Sequence, residues 1–150
     1  MGRPGHSWRA FRELSCGQRW LLVQAWLTLP IVAAGLRLIG FRMMRTLLLL
    51  GDPATAGRTD LAAAHSLARI VRGAANWTPF HANCLARSLV LSRLLRCQGL
   101  AHNLRIGVHK PDGHFAAHAW VEHGCVALAE PETVADRYAT FENGLLSKRV

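Results

Sequence analysis

Apolar residues dominate the stretch from Trp20 to Leu36, which has two polar side chains among its 17 positions. Arginines interrupt the apolar pattern that follows. Because proline inside a helix removes a hydrogen bond and crowds the preceding turn, Pro30 predicts a division into two helices, over about residues 16–29 and 31–50. Seventeen residues is near the lower limit for crossing a bilayer. We therefore expect this pair to pack on the rest of the chain, to dock a partner or to lie on a membrane surface.

A loop over residues 51–58, with two glycines and a proline, separates this apolar region from a second helical pattern. Thr59 or Asp60 can cap the helix that follows, and Gly73 is placed to end it. The loop is the predicted boundary between two parts of the chain: an N-terminal hydrophobic and basic helical segment, 1–55, and a second domain, 56–150.

Alternating apolar and polar residues predict strands in the last third of the chain. The predicted strands cover Leu104–Val108, Phe115–Glu122 and Cys125–Glu130. Short glycine-containing turns between them indicate antiparallel pairing in a three-stranded meander. A sheet of this kind packs its apolar face on helices, so the predicted fold class is α+β.

Cys84 lies at the predicted start of a helix that stops at Gly99. Asn83 is a natural N-cap, so Cys84 falls in the first turn, where unpaired N–H groups and the positive end of the helix dipole favour a thiolate. His118 follows about 34 residues later, in the second predicted strand. This spacing is typical of the nucleophile and base of a compact thiol hydrolase; the alternative is that both residues are structural. Cys97, at the other helix end, is interpreted as an unreactive packing residue.

The register of the last hairpin decides which carboxylate reaches His118. If a three-residue loop joins the two strands, His118 lies opposite Leu128, and Glu130 projects from the same face as a diagonal neighbour. A two-residue turn would put Glu130 on the other face. Glu122 shares the face of His118 but lies about 13 Å away along the strand. Glu130 is therefore the preferred orienting carboxylate.

Charge and cysteine usage restrict the function classes. The net charge is +9, and 16 of the 18 basic residues are arginine, mostly in the first 110 residues. The basic part is expected to face an anionic partner or surface. No phosphate-binding loop or nucleic-acid motif accompanies the arginines, so we expect no nucleic-acid binding. The four cysteines form no C-x-x-C pair, and His81 with Cys84 has no matching second pair. We therefore predict no metal, no cofactor and no disulfide framework.

Several motifs occur in order between about residues 76 and 141. They are Cys-Leu-x-Arg-Ser-Leu-x-Leu-x-x-Leu-Leu-Arg from Cys84, then Gly99, Leu-Arg-Ile-Gly-Val from Leu104, and Ala-His-Ala-Trp-Val-Glu from Ala117. Together they resemble the transglutaminase-like leader peptidases of lasso-peptide biosynthesis, of the stand-alone, split type. The apolar, arginine-punctuated N-terminal third is similar to that family as well.

The resemblance implies a papain- or transglutaminase-like core, in which the nucleophile helix packs on a small antiparallel sheet. In the family, the cysteine that matches Cys84 is the nucleophile, and the histidine that matches His118 is the base. A carboxylate twelve residues after the histidine orients it; this residue is more familiar as aspartate and is Glu130 here. Glu132 is the alternative.

The implied activity is that of a cysteine endopeptidase, which removes the leader of a ribosomally made precursor and frees the N-terminal amine of the core peptide. An ATP-dependent cyclase then closes the macrolactam. Residues 1–55 do not resemble a leader-binding module. The expected partners are the precursor peptide, a separate leader-binding recognition protein and the cyclase, with a membrane surface as a further contact. The expected location is the cytoplasm or the inner face of its membrane.

Two other interpretations stay open at this stage. A transglutaminase-like amidase or acyltransferase would use the same thiol chemistry on small acyl donors. A non-enzymatic, membrane-associated scaffold of a peptide maturation complex would carry Cys84 and His118 as structural residues. An unreactive Cys84 thiol would favour the scaffold.

Overall fold

The computed structural model describes residues 15–48, 57–78, 83–109, 116–128 and 139–140. These ranges contain four helices: α1 (Cys16–Leu38), α2 (Gly40–Leu48), α3 (Leu61–Asn76) and α4 (Cys84–Cys97). They also contain four strands: β1 (Asn103–His109), β2 (Ala116–His123), β3 (Val126–Leu128) and β4 (Ala139–Thr140).

Helix α1 runs without interruption through Pro30, so the predicted division at that residue is wrong. The chain breaks instead at Ile39 and Gly40, where Gly40 has a φ of 77°, a left-handed conformation that glycine adopts without steric cost. A proline costs the helix one backbone hydrogen bond. Burial of Leu29 and Val32 on either side of it supplies the packing that keeps the helix continuous.

One side of α1 lies in the hydrophobic core. Leu29 and Val32 are buried in a cluster that also contains residues of α3 and α4. Helix α2 folds back on α1, with Met44 so close to Gly35 that a β-carbon at that position would collide with it. The N-terminal helices thus share a core with the rest of the described chain. The boundary predicted at residue 55 falls outside the described residues and stays a prediction.

The other side of α1 exposes large apolar residues, which we call the α1 stripe. Its members are Trp20, Val23, Trp26, Leu27, Ile31 and Leu38. By length and composition α1 could cross a membrane, with 17% of its most apolar window buried. Core helices of soluble proteins and signal sequences have the same length and composition.

Asp60 caps α3, because its carboxylate accepts a hydrogen bond from the backbone N–H of Ala63 at 3.0 Å. This is one of the two predicted caps. The prediction that Gly73 ends the helix is wrong, since α3 continues to Asn76. Val71 is buried in the core. Burying a valine is worth about 1.5–3 kcal/mol, more than the ~1 kcal/mol that a glycine inside a helix costs.

Helix α4 ends as predicted, with Gly99 in a left-handed conformation of φ 66°. The chain then runs beside the segment before α3, where Arg58 pairs with Leu100 in a parallel bridge. A β-carbon on Gly57 would come within 2.6 Å of the Ala101 nitrogen. Glycine is therefore required at position 57 for this close approach.

The four strands form one antiparallel sheet in the order β3-β2-β1-β4. The three predicted strands correspond to β1, β2 and β3. The short β4 pairs with β1 through Gly107 and Val108 and adds a fourth strand at the other edge.

The two faces of the sheet have different neighbours. Val121 pairs with Leu104 and Leu128, and all three pack in the core with the helices. Trp120 alternates with Val121 and points to the opposite face, where it forms a separate buried cluster with Ala127. A helical layer therefore covers one face of a small antiparallel sheet. This architecture confirms the predicted α+β class with a helix packed on a small sheet.

The turn between β2 and β3 contains two residues, Gly124 and Cys125, which is the second of the two alternatives that the sequence left open. Gly124 has a φ of 63°, which suits the first position of a tight hairpin turn. Val121 pairs with Leu128, so the pairing of His118 with Leu128 that a three-residue loop would give does not form. The hydrophobic alternation located both strands, whereas the turn determined their register.

Candidate active site

Cys84 is the first residue of α4. The side-chain oxygen of Asn83 accepts a hydrogen bond from the backbone N–H of Ala86 at 2.9 Å, so Asn83 is the N-cap, as predicted. No acidic side chain lies in the first turn to neutralise the positive end of the helix dipole. The Cys84 side chain is half-buried. Its position at a helix N-terminus is the one in which a cysteine acts as a nucleophile in thiol enzymes.

Asn83→Ala is expected to destabilise the protein by about 1 kcal/mol, because the Ala86 N–H loses its acceptor. For a chain of this size the melting temperature should fall by about 2–4 °C in a calorimetric or circular dichroism melt. Asn83→Ser keeps a capping oxygen and is the matched control, with an expected melt close to that of the wild type. An alanine variant as stable as the wild type would show that the cap contributes nothing.

A small pocket of about 30 Å³ opens beside Cys84, with room for roughly one water molecule. Arg72 and Arg87 give it a positive character. Its other lining residues come from α3, α4, β2 and β3: Ala68, Val71, Ser88, Leu91, Trp120, Val121 and Leu128. The pocket therefore connects the start of α4 with the middle of β2.

His118 lies in β2, next to the point where α4 contacts this strand. The hydroxyl of Ser88 donates a hydrogen bond of 2.8 Å to the carbonyl of Ala119, and this contact is buried. The His118 side chain is half-buried. The two elements that carry Cys84 and His118 are thus packed together, and the roles of these residues as nucleophile and base stay predictions.

The side chain of His118 projects from the same face of β2 as that of Trp120. The two rings are stacked, with centroids 6.1 Å apart and an interplanar angle of 19°. Ala119, between them, points to the face that packs on the helices. The His118 side chain therefore projects from the face of β2 opposite to the one that packs on the helices.

The third predicted catalytic residue, Glu130, lies outside the described residues, as does its alternative Glu132. The three-residue loop on which the preference for Glu130 depended is not the loop that forms. The register therefore gives no support to Glu130, and its role stays a prediction from the family resemblance alone.

One interaction network near His118 is absent from the sequence-based prediction. The carboxylate of Glu122 accepts hydrogen bonds from Trp120 Nε1 at 2.9 Å and from Arg105 Nε at 3.0 Å. Alternation along β2 indicates that Trp120 and Glu122 share the face of His118. The contribution of Arg105 depends on its pairing with Trp120 across β1 and β2, which the sequence does not specify.

A second buried histidine lies away from this network. His102 forms a 2.9 Å hydrogen bond with the carbonyl of Leu100. Burial lowers the pKa of His102 and outweighs the hydrogen bond to Leu100, which raises it; the charges of Arg96 and His123 also lower it. The buried His102 ring packs the connection between α4 and β1.

The sequence matches the transglutaminase-like superfamily over residues 25–143, and the chain belongs to this superfamily. The superfamily generally contains enzymes with a Cys-His-Asp triad that act as cysteine proteases or acyltransferases. Membership therefore indicates an activity of the cysteine protease or amidase type. No match is found among curated proteins or among solved structures.

Proposed function

We propose that the protein is the cysteine endopeptidase that removes the leader from a lasso-peptide precursor. The observation that carries this proposal is the placement of Cys84 at the capped start of α4, with α4 packed against the strand of the Ala-His-Ala-Trp-Val-Glu motif. Superfamily membership supports the thiol chemistry. The resemblance of the motifs to lasso-peptide leader peptidases supports the choice of substrate.

In the proposed reaction, the Cys84 thiolate attacks the scissile carbonyl, and a tetrahedral intermediate forms. The protonated His118 ring gives its proton to the departing nitrogen, the C–N bond breaks, and the core peptide leaves with a free N-terminal amine. The leader remains as a thioester on Cys84. Water attacks this thioester and gives a proton to His118, and the C–S bond breaks to release the leader and regenerate the thiolate.

The negative oxygen of the tetrahedral intermediate needs hydrogen-bond donors. The backbone N–H of Cys84 is a suitable donor, because the first N–H groups of a helix have no partner within the helix. The positive character of the adjacent pocket, from Arg72 and Arg87, would add to this stabilisation. Glu130, or Glu132 in its place, would orient His118.

A separate leader-binding protein would deliver the precursor and would dock on the α1 stripe. The stripe is a long apolar surface, and the described part of α1 and α2 carries four arginines and no acidic residue. An apolar surface with acidic residues at its rim is the complementary partner. The protein alone should therefore cleave slowly, and the partner should raise the rate by supplying substrate at a high effective concentration.

Charge reversal at the edge of the α1 stripe is expected to weaken this activation. Arg37 and Arg42 are exposed, so the double variant Arg37→Glu/Arg42→Glu should leave the fold intact. It should lower partner-dependent cleavage by roughly 10-fold or more at physiological salt, because like charges across an interface cost several kcal/mol. Cleavage of the precursor is measured with and without the partner, and folding is checked by circular dichroism.

The matched control is Arg69→Glu/Arg93→Glu, which reverses two exposed charges on α3 and α4. It should retain partner activation. If both double variants lose partner activation equally, the effect is due to net charge and not to the α1 stripe. Full leader-dependent cleavage by the wild-type chain alone would contradict the need for a partner. Cleavage of small acyl donors without a leader would favour the amidase alternative.

A further inference from the structure

Glu122 is a charged residue held in the interior of the protein. It is 9% exposed, yet its carboxylate is ion-paired with Arg105 and hydrogen-bonded to the indole N–H of Trp120. Burying a carboxylate is costly unless it is paired and hydrogen-bonded. Both of its oxygens have a partner here, so the carboxylate has a fixed position.

The bond to Glu122 also fixes the indole ring of Trp120. Trp120 is 1% exposed, and its N–H has an acceptor at 2.9 Å. With one edge tied to a carboxylate and the ring packed against Ala127, the indole has little freedom to rotate. Its ring is the surface on which His118 stacks.

The charges on this face of the sheet form a short series. Among the described side chains of β1, β2 and β3, the charged or titratable groups on this face are Arg105, Glu122 and His118. Arg105 is 30% exposed, and Glu122 lies between it and Trp120. The series therefore runs from solvent to the imidazole through two hydrogen bonds and one ring stack.

We propose that Glu122, Trp120 and Arg105 are positioning residues, which hold the His118 ring in place and stabilise its protonated form during leader cleavage. This inference rests on the proposed role of His118 as the catalytic base. The face of an indole attracts a cation within about 6 Å of the ring centroid, and the observed separation of 6.1 Å is close to that reach. A carboxylate that accepts the indole N–H makes the ring a better partner for the imidazolium ion.

The reaction uses this stabilisation at a defined stage. In the free enzyme, before substrate binds, Cys84 is a thiolate and His118 carries the proton that the departing amine later needs. A ring that is held and favoured in this protonated state keeps the nucleophile ionised. Glu122 acts at a distance, through Trp120, and touches neither the substrate nor the reacting atoms.

The direct test is an NMR titration of the His118 ring in the Cys84→Ala chain, which needs no substrate. The His118 signals are assigned by their absence from His118→Gln. With Glu122→Gln added, the titration should move to lower pH, by at most roughly half to one pH unit, which is the size of a whole partly buried cation–π contact. Trp120→Phe should move it in the same direction, and the two changes together should add little, because they interrupt one series of contacts.

Arg93→Gln, an exposed substitution on α4, is the control and should leave the titration unchanged. An unaltered His118 titration in folded Glu122→Gln would overturn the proposal; if that variant does not fold, the Trp120→Phe titration decides in the same way. In the chain with Cys84 intact, Glu122→Gln should lower kcat about 5- to 10-fold with little change in KM. The alkaline limb of the plot of kcat against pH should move to lower pH.

The same set of measurements separates this proposal from the proposed function. If the titration moves but His118→Ala cleaves normally, the positioning network exists and the catalytic role of His118 is wrong. If His118→Ala is inactive and the titration does not move, the proposed function holds and the positioning network is wrong.

Discussion

Cys84→Ala is expected to abolish leader cleavage, with a loss of about 10⁶-fold, as for removal of the nucleophile in other triad enzymes. The reason is chemical, because alanine offers no atom that can form the thioester. The measurement is precursor cleavage followed by mass spectrometry, with the partner present. Trapping of the leader as a covalent adduct on the wild-type chain but not on the variant would identify the thioester directly.

Labelling with iodoacetamide provides an independent test of the same assignment. Cys16, Cys97 and Cys125 are exposed, whereas Cys84 is half-buried. Accessibility alone would therefore make Cys84 the slowest of the four to react. We expect it to be the fastest, because reactivity follows the thiolate fraction, which the helix N-terminus raises. Labelling in the order of exposure, together with cleavage by Cys84→Ala, would contradict the catalytic assignment and favour the scaffold alternative.

His118→Ala is expected to lose cleavage as completely as Cys84→Ala, since a nucleophile and its base act as a unit and their effects do not add. The double variant Cys84→Ala/His118→Ala should be no worse than either single variant. Cleavage rates of all three are compared under the same partner concentration. Iodoacetamide labelling of Cys84 should also slow in His118→Ala, because the thiolate loses its counter-ion.

His65→Ala is the matched control for His118→Ala, because His65 is exposed on α3, in a helix position outside the pocket. It should cleave at the wild-type rate. If His118→Ala lowers cleavage by a few-fold only, then His118 is a structural residue. His81, three residues before Cys84 in the sequence, would be the next histidine to replace.

The sequence predicted the elements better than their ends. Asn83 and Asp60 can be predicted as caps because a side chain that accepts hydrogen bonds, placed just before a helical pattern of apolar residues, is a local signal. Pro30 and Gly73 are local signals too, but both lie inside continuous helices. Packing of their neighbours against other helices outweighs the local penalty, and such packing is invisible to a local pattern.

The sheet illustrates a second limit of the sequence. Alternation placed β1, β2 and β3 within a few residues, whereas the hairpin register depended on whether the turn holds two or three residues. A difference of one residue in the turn reverses the face of every later side chain. Glu130 shares the face of His118 only with the longer turn, so the register that forms does not favour it as the orienting carboxylate.

The predicted packing role of Cys97 was also wrong, since its side chain is exposed. Its place at the end of α4 could be predicted, but the direction in which it points could not. The network of Glu122 was missed for a different reason. Spacing along the strand puts Glu122 too far from His118 for a direct contact, and it does not reveal that Trp120 links the two residues.

The unequal burial of the tryptophans gives the protein an internal optical probe. Trp20, Trp26 and Trp77 are between 42% and 63% exposed, whereas Trp120 is 1% exposed. Iodide in solution should therefore quench the emission of those three and spare that of Trp120. A protonated imidazole quenches an indole stacked on it. In a Trp8→Phe chain, which removes the tryptophan outside the described residues, the emission that survives iodide should therefore report the protonation of His118. The state of the proposed base could then be followed in real time, without a label, while precursor is being cleaved.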